Sequence, residues 1–487
     1  MNSDREGQRK RAKHTRSKQG CRVCRIRRIR CDLVRPACLK CSSTGRKCEG
    51  YPTAPGDSCS ALRLVPRSPF ASSASSQQER RSLHYFQCQT APQFTGHFDS
   101  DFWSSLVLQV GSREPCVQSA VVALGSLHEA FENCSTPGRP ITTHQPSVHA
   151  YDYYSRAISL LNTHIRTEGW QGLDVSLICC ILCVGFEWLR GCYAAADTHL
   201  RSGLLILRQW FENRGSGPCS ISFFSPAGHL IRSQLTPMFT RLTLQARSFI
   251  ATQYPWTPAM LEEKPIVDSK GLKAALESLE AILCQMYLQA EAYEEMNEQR
   301  LATFSNRLAH WSKLYAHHLS TVEPTPHTIV LVLLYETATI MLGTSHSYSQ
   351  MQFDAYTPNF LRIVEMAELL SSSTTSRFSM DIETVPLLYY VGIKCRHSII
   401  RRKAIALLAS GARREGAWDG SATARLAEEI VHIEEGGVLD ENEQHAVSAT
   451  ARVCNLRVHY NLEHRNVAFR FMRQHESVWS PERTVSW

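Results

Sequence analysis

The 487-residue chain lacks the features that mark several large protein classes. It has no long apolar run: the most apolar stretch, Leu177 to Phe186, is about ten residues and is bounded by Asp174 and Glu187. A bilayer span needs about 20 residues, so a buried helix is expected there and membrane insertion is not. The segment Met1 to Lys18 is charged throughout and has no apolar core of the kind a secretory signal requires. A reducing compartment is therefore expected, in which the 18 cysteines stay out of a disulfide framework. The 20 histidines are dispersed, and His-Glu-x-x-His, a Gly-rich phosphate loop and Gly-x-Ser-x-Gly are all missing, so no enzyme active site is indicated. Alternating apolar and polar runs are few, which argues against a β-rich body.

What the chain does have is a strongly uneven charge. The whole carries a net +8, whereas residues 1 to 50 alone contain sixteen Lys or Arg against four acids, Asp4, Glu6, Asp32 and Glu49. The remainder is therefore slightly acidic, and a basic head on a near-neutral body is the asymmetry expected of a nucleic-acid binder. Residues 1–17, including Arg9-Lys10-Arg11-Ala12-Lys13, lack periodicity and read as a basic disordered arm. Residues 18–50 are governed by cysteine. Residues 51–84 hold Pro52, Pro55, Pro66 and Pro69 and the run Ala71 to Ser76, a composition that buries too little apolar surface to offset the entropy of ordering, and read as a disordered linker.

From residue 85 to 487 the pattern is helical, predicting an all-α body. Asp99 or Ser100 could cap a helix from about Asp101 that carries Phe102, Trp103, Leu106 and Val110 on one face. Further helices are predicted over Val117–Phe131 and over about 149–167, 173–190, 193–212, 270–318, 326–343, 384–408 and 443–473. Leu276, Leu279, Leu283 and Met286 follow 4-3-4-3 spacing and could form a coiled-coil seam. Without sustained heptads they fit a core face better, although they are the best candidate for pairing two copies.

The chemistry is concentrated in Cys21, Cys24, Cys31, Cys38, Cys41 and Cys48, spaced C-x2-C-x6-C-x6-C-x2-C-x6-C. Each C-x2-C pair can hold one metal ion from a single helical turn, and each following loop returns another thiolate. Six sulfurs cannot give two separate four-sulfur sites, so two thiolates must be shared in a cluster of two tetrahedral ions. Sulfur-only ligation selects zinc over magnesium or calcium. Thiolates also hold iron, and chance or a disulfide knot are further readings, but none of these accounts for six arginines between Cys21 and Cys38. Ile26 and Ile29 are expected to pack beneath the cluster and leave Arg25, Arg27, Arg28 and Arg30 directed outward.

This segment resembles the fungal binuclear zinc cluster family, the Zn2Cys6 transcription factors, over about 30 residues without a gap. The resemblance implies that Cys21 and Cys38 bridge, that Cys24 and Cys31 complete one site and Cys41 and Cys48 the other, and that Pro36 is the loop proline, often cis. It also implies that Arg28 contacts bases with Arg27 as its basic neighbour, and that Arg25 and Arg30 contact phosphate. An arginine fork can donate to both acceptors of a guanine in the major groove. Phe94 to Trp103 and the helices after it, roughly 85 to 210, are similar to the helical regulatory region of many such factors.

The expectation is thus a nuclear, sequence-specific transcription factor of RNA polymerase II genes. It would bind two zinc ions per chain and CGG-like half-sites in double-stranded DNA, contact the transcription machinery, and pair, if at all, as a homodimer through the helical body. A secondary-metabolite gene cluster is the target class that family context allows. The rivals are a zinc-dependent protein-interaction module and an enzyme with an accessory zinc domain. Three smaller signals are weighed. Cys180-Ile-Leu-Cys183 fits core packing better than metal binding, Asn133-Cys134-Ser135 matters only in a secreted protein, and the acids Glu428, Glu429, Glu434, Glu435, Asp440, Glu441 and Glu443 fit a solvated helix end better than a contact to the transcription machinery.

Overall fold

The computed structural model describes residues 20–51, 76–98, 101–133, 148–212, 226–249, 271–291, 298–319, 323–345, 349–373, 376–411, 413–436, 447–461, 464–474 and 476–487. The basic arm and most of the linker lie outside these residues. The chain divides into two units, 1–68 and 69–487.

Among its described residues the first unit has a core of cysteine sulfur, with no aliphatic cluster. Its helix α1, Arg22–Ile26, begins at Cys21, whose sulfur accepts from Cys24 N at 3.4 Å. Helix α2, Leu39–Ser42, begins at Cys38. The two halves repeat one backbone device: Ile29 N donates to Cys24 O, and Arg46 N donates to Cys41 O. Arg22 N donates to Gly50 O, which brings the end of the second half back to the first helix.

The second unit is largely helical, as its periodicity predicts. The first helix among its described residues is Gln77–Tyr85, which lies almost wholly within the range expected to be linker. Leu83 and Phe86 are buried, and Arg81 pairs with Glu129 at 2.6 Å, so this segment is held by tertiary contacts that its polar composition conceals. The expected helices are present at Pro115–Asn133, Val148–Glu168, Leu173–Arg190, Tyr193–Glu212 and Pro326–Gly343. Leu173–Arg190 ends at Gly191, which takes the left-handed φ of 84° that favours glycine and donates to Trp188 O. Pro326–Gly343 starts with proline in its first turn behind a Thr325 cap.

The expected helix over 270–318 is two helices, Leu272–Glu291 and Glu298–Leu319, and that over 384–408 is Val385–Lys394 and Ser398–Ser410. Helices also form at Thr236–Phe249, Thr357–Ser373 and Gly420–Glu434. Segments within Val148–Arg190 and Pro326–Gly343 are apolar enough to cross a membrane by composition, but 94% and 67% of those windows are buried inside the body.

Two apolar cores result. One gathers Phe86, Phe94, Trp103, Val121, Ile181 and Leu204, together with Cys180 and Cys183. Here Gly203 admits the ring of Phe239, which would stand 2.3 Å from any Cβ at that position. The other gathers Leu331, Ile363, Val391 and Ala404. Leu276, Leu279, Leu283 and Met286 are buried in this second core, so the candidate pairing seam is consumed within the body. A small sheet joins the two regions: β1 (Phe378–Ser379) runs parallel to β2 (Arg414–Glu415), which is antiparallel to β3 (Trp418–Asp419). Gln245 Nε2 donates to Met380 O beside it at 2.6 Å.

The expected helix over 443–473 is instead a sheet ordered β4 (Val453–Asn461), β5 (Asn466–Arg473), β6 (Arg483–Ser486). The reason is period-two patterning in both long strands. Leu456, Val458 and Tyr460 stand opposite Phe471, Phe469 and Val467 and pack on the second core, while Asn455, Arg457 and His459 fall on the other side. Glu434 holds the start of this sheet. Its oxygens receive Arg396 and Arg401 at 2.8 Å each and the N–H of Val453 at 2.8 Å. Of the acids read as a patch, Glu428, Glu429 and Glu435 pair with Arg425, Arg483 and Arg402, and Glu434 is buried, while 440, 441 and 443 lie outside the described residues. The substitution Glu434→Gln leaves two buried guanidinium groups undercompensated. It is expected to cost on the order of 3 kcal/mol, read as a lower unfolding midpoint of the body, and an unchanged midpoint would contradict this anchoring role.

Candidate zinc cluster and nucleic-acid interface

The six N-terminal cysteines converge. Cys21 Sγ lies 3.6 Å from Cys38 Sγ and 3.7 Å from Cys41 Sγ, and Cys24 Sγ lies 3.6 Å from Cys38 Sγ and 3.9 Å from Cys41 Sγ. A tetrahedron with Zn–S bonds of about 2.3 Å has edges of ~3.8 Å. The sulfurs fall into two groups of four, Cys21, Cys24, Cys31, Cys38 and Cys21, Cys38, Cys41, Cys48, each with all members within 4.8 Å. Cys21 and Cys38 belong to both.

The electrostatics call for a cation. Burial and the neighbouring sulfurs of Cys21, Cys38 and Cys41 push the Cys24 thiol far up, because another thiolate beside it would be unscreened. At Cys31 desolvation acts the same way, but chiefly the N–H groups of Cys21 and Leu33 outweigh it and bring the thiol down to about 7. Such a donor set, soft and anionic once deprotonated, fits zinc.

The apolar residues packed on the sulfurs are Val23 and Tyr51, not the two isoleucines. Ile26 is 70% exposed and Ile29 40%. The expectation that both pack beneath the cluster fails because α1 has only five residues. The chain leaves it through Arg28 at φ 55°, so the helical relation between positions 26 and 29 is broken. Arg25, Arg28 and Arg30 are exposed. Arg27 is half-buried and turns back on the second half, donating to Lys40 O at 3.4 Å and to Thr44 Oγ1 at 3.2 Å. Pro36 follows a cis peptide bond, as the family resemblance implies.

Two residues overlooked in the sequence complete the site. Tyr51 donates its hydroxyl to Val34 O at 2.5 Å, lies 3.9 Å from Cys31 Sγ, and stacks under the Arg35 guanidinium at 5.5 Å. Asp32 accepts from Val34 N at 3.1 Å, Leu39 N at 3.2 Å and Lys40 N at 3.0 Å. Slight desolvation raises its pKa, but these donors outweigh it and hold the carboxylate below its ordinary range. A signal was available: Asp32 is the one acid between Cys21 and Cys48.

Comparison with known proteins agrees with this geometry. Residues 19–58 match the fungal Zn(2)-Cys(6) binuclear cluster domain, and residues 81–249 match the fungal specific transcription factor domain. The aspercryptin biosynthesis cluster-specific transcription regulator of Emericella nidulans is 29% identical over 220 residues, 40% of this chain and 35% of that protein. Transcription regulator lscL of Purpureocillium lilacinum is 28% identical over 204 residues, 38% of this chain and 48% of that protein. A Zn(2)-C6 fungal-type transcription factor of Aspergillus fumigatus is 32% identical over 138 residues, 26% and 36% of the two chains. The chain thus spans between a third and a half of the length of these relatives. No solved structure matches.

The shared sulfurs make a graded prediction. Cys21→Ala removes a ligand from both four-sulfur groups, whereas Cys48→Ala leaves Cys21, Cys24, Cys31 and Cys38 complete. Bound zinc, measured by elemental analysis, should fall further in Cys21→Ala. Equal losses would contradict the sharing.

Proposed function

We propose that the chain is a fungal Zn(2)-Cys(6) transcription regulator, a nuclear, sequence-specific DNA-binding factor holding two zinc ions per chain, a reading supported by the two matched domains and by relatives named as transcription regulators. On this reading the chain regulates transcription and is not an enzyme, which the matched domains and the relatives named as transcription regulators support. One observation carries the proposal: two four-sulfur groups share Cys21 and Cys38 directly behind a surface bearing exposed Arg25, Arg28 and Arg30. Zinc orders the segment, and the arginines then meet DNA as a preformed surface. Cys21, Cys24, Cys31 and Cys38 would hold one ion and Cys21, Cys38, Cys41 and Cys48 the other.

Arg28 reads bases in a CGG-like half-site, and Arg25 and Arg30 bind phosphates, giving register and salt-dependent affinity. Arg27, expected beside them, is committed to Lys40 and Thr44 and contributes charge more than a base contact. The helical body regulates this activity toward the transcription machinery. The relative named for a biosynthesis cluster supports a secondary-metabolite gene cluster as the target.

Binding to a CGG-containing duplex and to a random duplex tests the proposal. Arg28→Ala should weaken the first by about 1 to 3 kcal/mol and relax base choice, while Arg25→Ala and Arg30→Ala should weaken both alike. Equal loss on both duplexes for Arg28→Ala would refute its role. We further propose that the zinc unit alone is monomeric, because its linker is proline-rich and lacks heptads. Any pairing of two copies then resides in the helical body, on a face other than the buried Leu276 to Met286 row. Sedimentation of a fragment of residues 1–68 should give a monomer at micromolar concentration, and a dimer would contradict this.

A further inference from the structure

We propose that Asp32 is a positioning residue for DNA recognition, aided by Arg27: together they grip the backbone of one residue of the second half, Lys40, at both its N–H and its carbonyl, and lock the two halves of the cluster in register. The inference rests on the DNA-binding reading above. Helix α2 has four residues, and its first N–H groups need an acceptor. Cys38, which occupies the capping position, makes no side-chain cap, and its sulfur lies among the cluster sulfurs instead. The acceptor comes from the other half of the motif. Asp32 Oδ1 takes the N–H of Leu39 and Oδ2 that of Lys40, while Oδ1 also takes the N–H of Val34 on the intervening loop.

The carbonyl end of the same residue is held from the first half as well. Arg27, just past α1, donates to Lys40 O and to Thr44 Oγ1, and the Thr44 hydroxyl lies 3.0 Å from Lys40 O. Lys40 is therefore bound at its N–H by Asp32 and at its carbonyl by Arg27. Both grips cross between the halves without passing through the metal. The shared thiolates tie the halves together at the sulfurs, and these bonds fix the angle at which the second half meets the surface carrying Arg28.

The sign of the effect separates positioning from electrostatics. Asp32 is exposed and is the one acid among the basic residues from Cys21 to Cys48. Removing a negative charge from a phosphate-facing surface should, by charge alone, strengthen binding to every DNA sequence. Loss of the grip should instead weaken binding to the preferred site. Asp32→Asn places an NH2 donor where Oδ2 met Lys40 N–H, and Asp32→Ala removes all three bonds.

The test uses the full chain with zinc content, affinity for the preferred duplex and affinity for a random duplex measured in parallel. In Asp32→Asn and Asp32→Ala the zinc content should stay at the wild-type level, and random-sequence binding should hold or rise. The ratio of specific to random affinity should fall about tenfold, as expected for lost hydrogen bonds to a charged group. Thr44→Val, which removes a partner of Arg27 without changing charge, should move the ratio the same way.

A wild-type ratio retained in both Asp32 variants overturns the proposal, and so does zinc loss in both, which would place Asp32 in metal retention. A fall in the Asp32 variants with none in Thr44→Val overturns the part given to Arg27. A wild-type protein with no preference between duplexes would refute the DNA-binding reading itself, an outcome distinct from all of these.

Discussion

Everything in the N-terminal unit depends on the sharing of Cys21 and Cys38 between two four-sulfur groups. A segment this short cannot bury enough apolar surface to fold by itself. Its interior is sulfur, with Val23 and Tyr51 the main apolar cover, so cohesion has to come from metal–thiolate bonds. Burial pushes up the thiols of Cys21, Cys24 and Cys38, and a bound cation would offset this and fix where α1 and α2 stand. On the DNA-binding reading proposed above, the arginines would meet DNA on a surface whose geometry is already set, which would reduce the ordering cost of binding.

The helical body obeys a different constraint. Its two apolar cores are conventional, and the C-terminal sheet, whose Val467, Phe469 and Phe471 belong to the second core, is tied to the body through charge as well. Glu434 meets Arg396 and Arg401, and Arg452 meets Asp354 at 2.8 Å. Such pairs contribute little net stability where they replace apolar packing, yet breaking one is costly.

The legibility of the sequence followed the kind of signal. The cluster was readable because ligand spacing is a covalent, local property. The helices Leu173–Arg190, Tyr193–Glu212 and Pro326–Gly343 were readable to their ends because apolar periodicity agreed with Gly191 and with Thr325-Pro326. The strands from Val453 read as a helix in sequence because the alternation of Leu456, Val458 and Tyr460 with polar residues is short and only the partner strand makes it decisive. Gln77–Tyr85 reads as linker in sequence because its stabilising partners, Glu129 among them, lie far along the chain. The fate of Leu276 to Met286 was open for the same reason, as a seam and a core face share one pattern. Ile26 and Ile29 were misplaced by extending α1 past Arg27, where the backbone turns into a left-handed residue. Asp32 went unnoticed because its partners are backbone N–H groups, which no residue type announces.

X-ray absorption at the zinc edge of the full-length protein tests the central claim most directly. Two zinc ions bridged by Cys21 and Cys38 predict a first shell of four sulfurs at about 2.3 Å together with scattering from a second metal at bridging distance. A shell containing nitrogen or oxygen ligands, or an all-sulfur shell with no neighbouring metal, would contradict it.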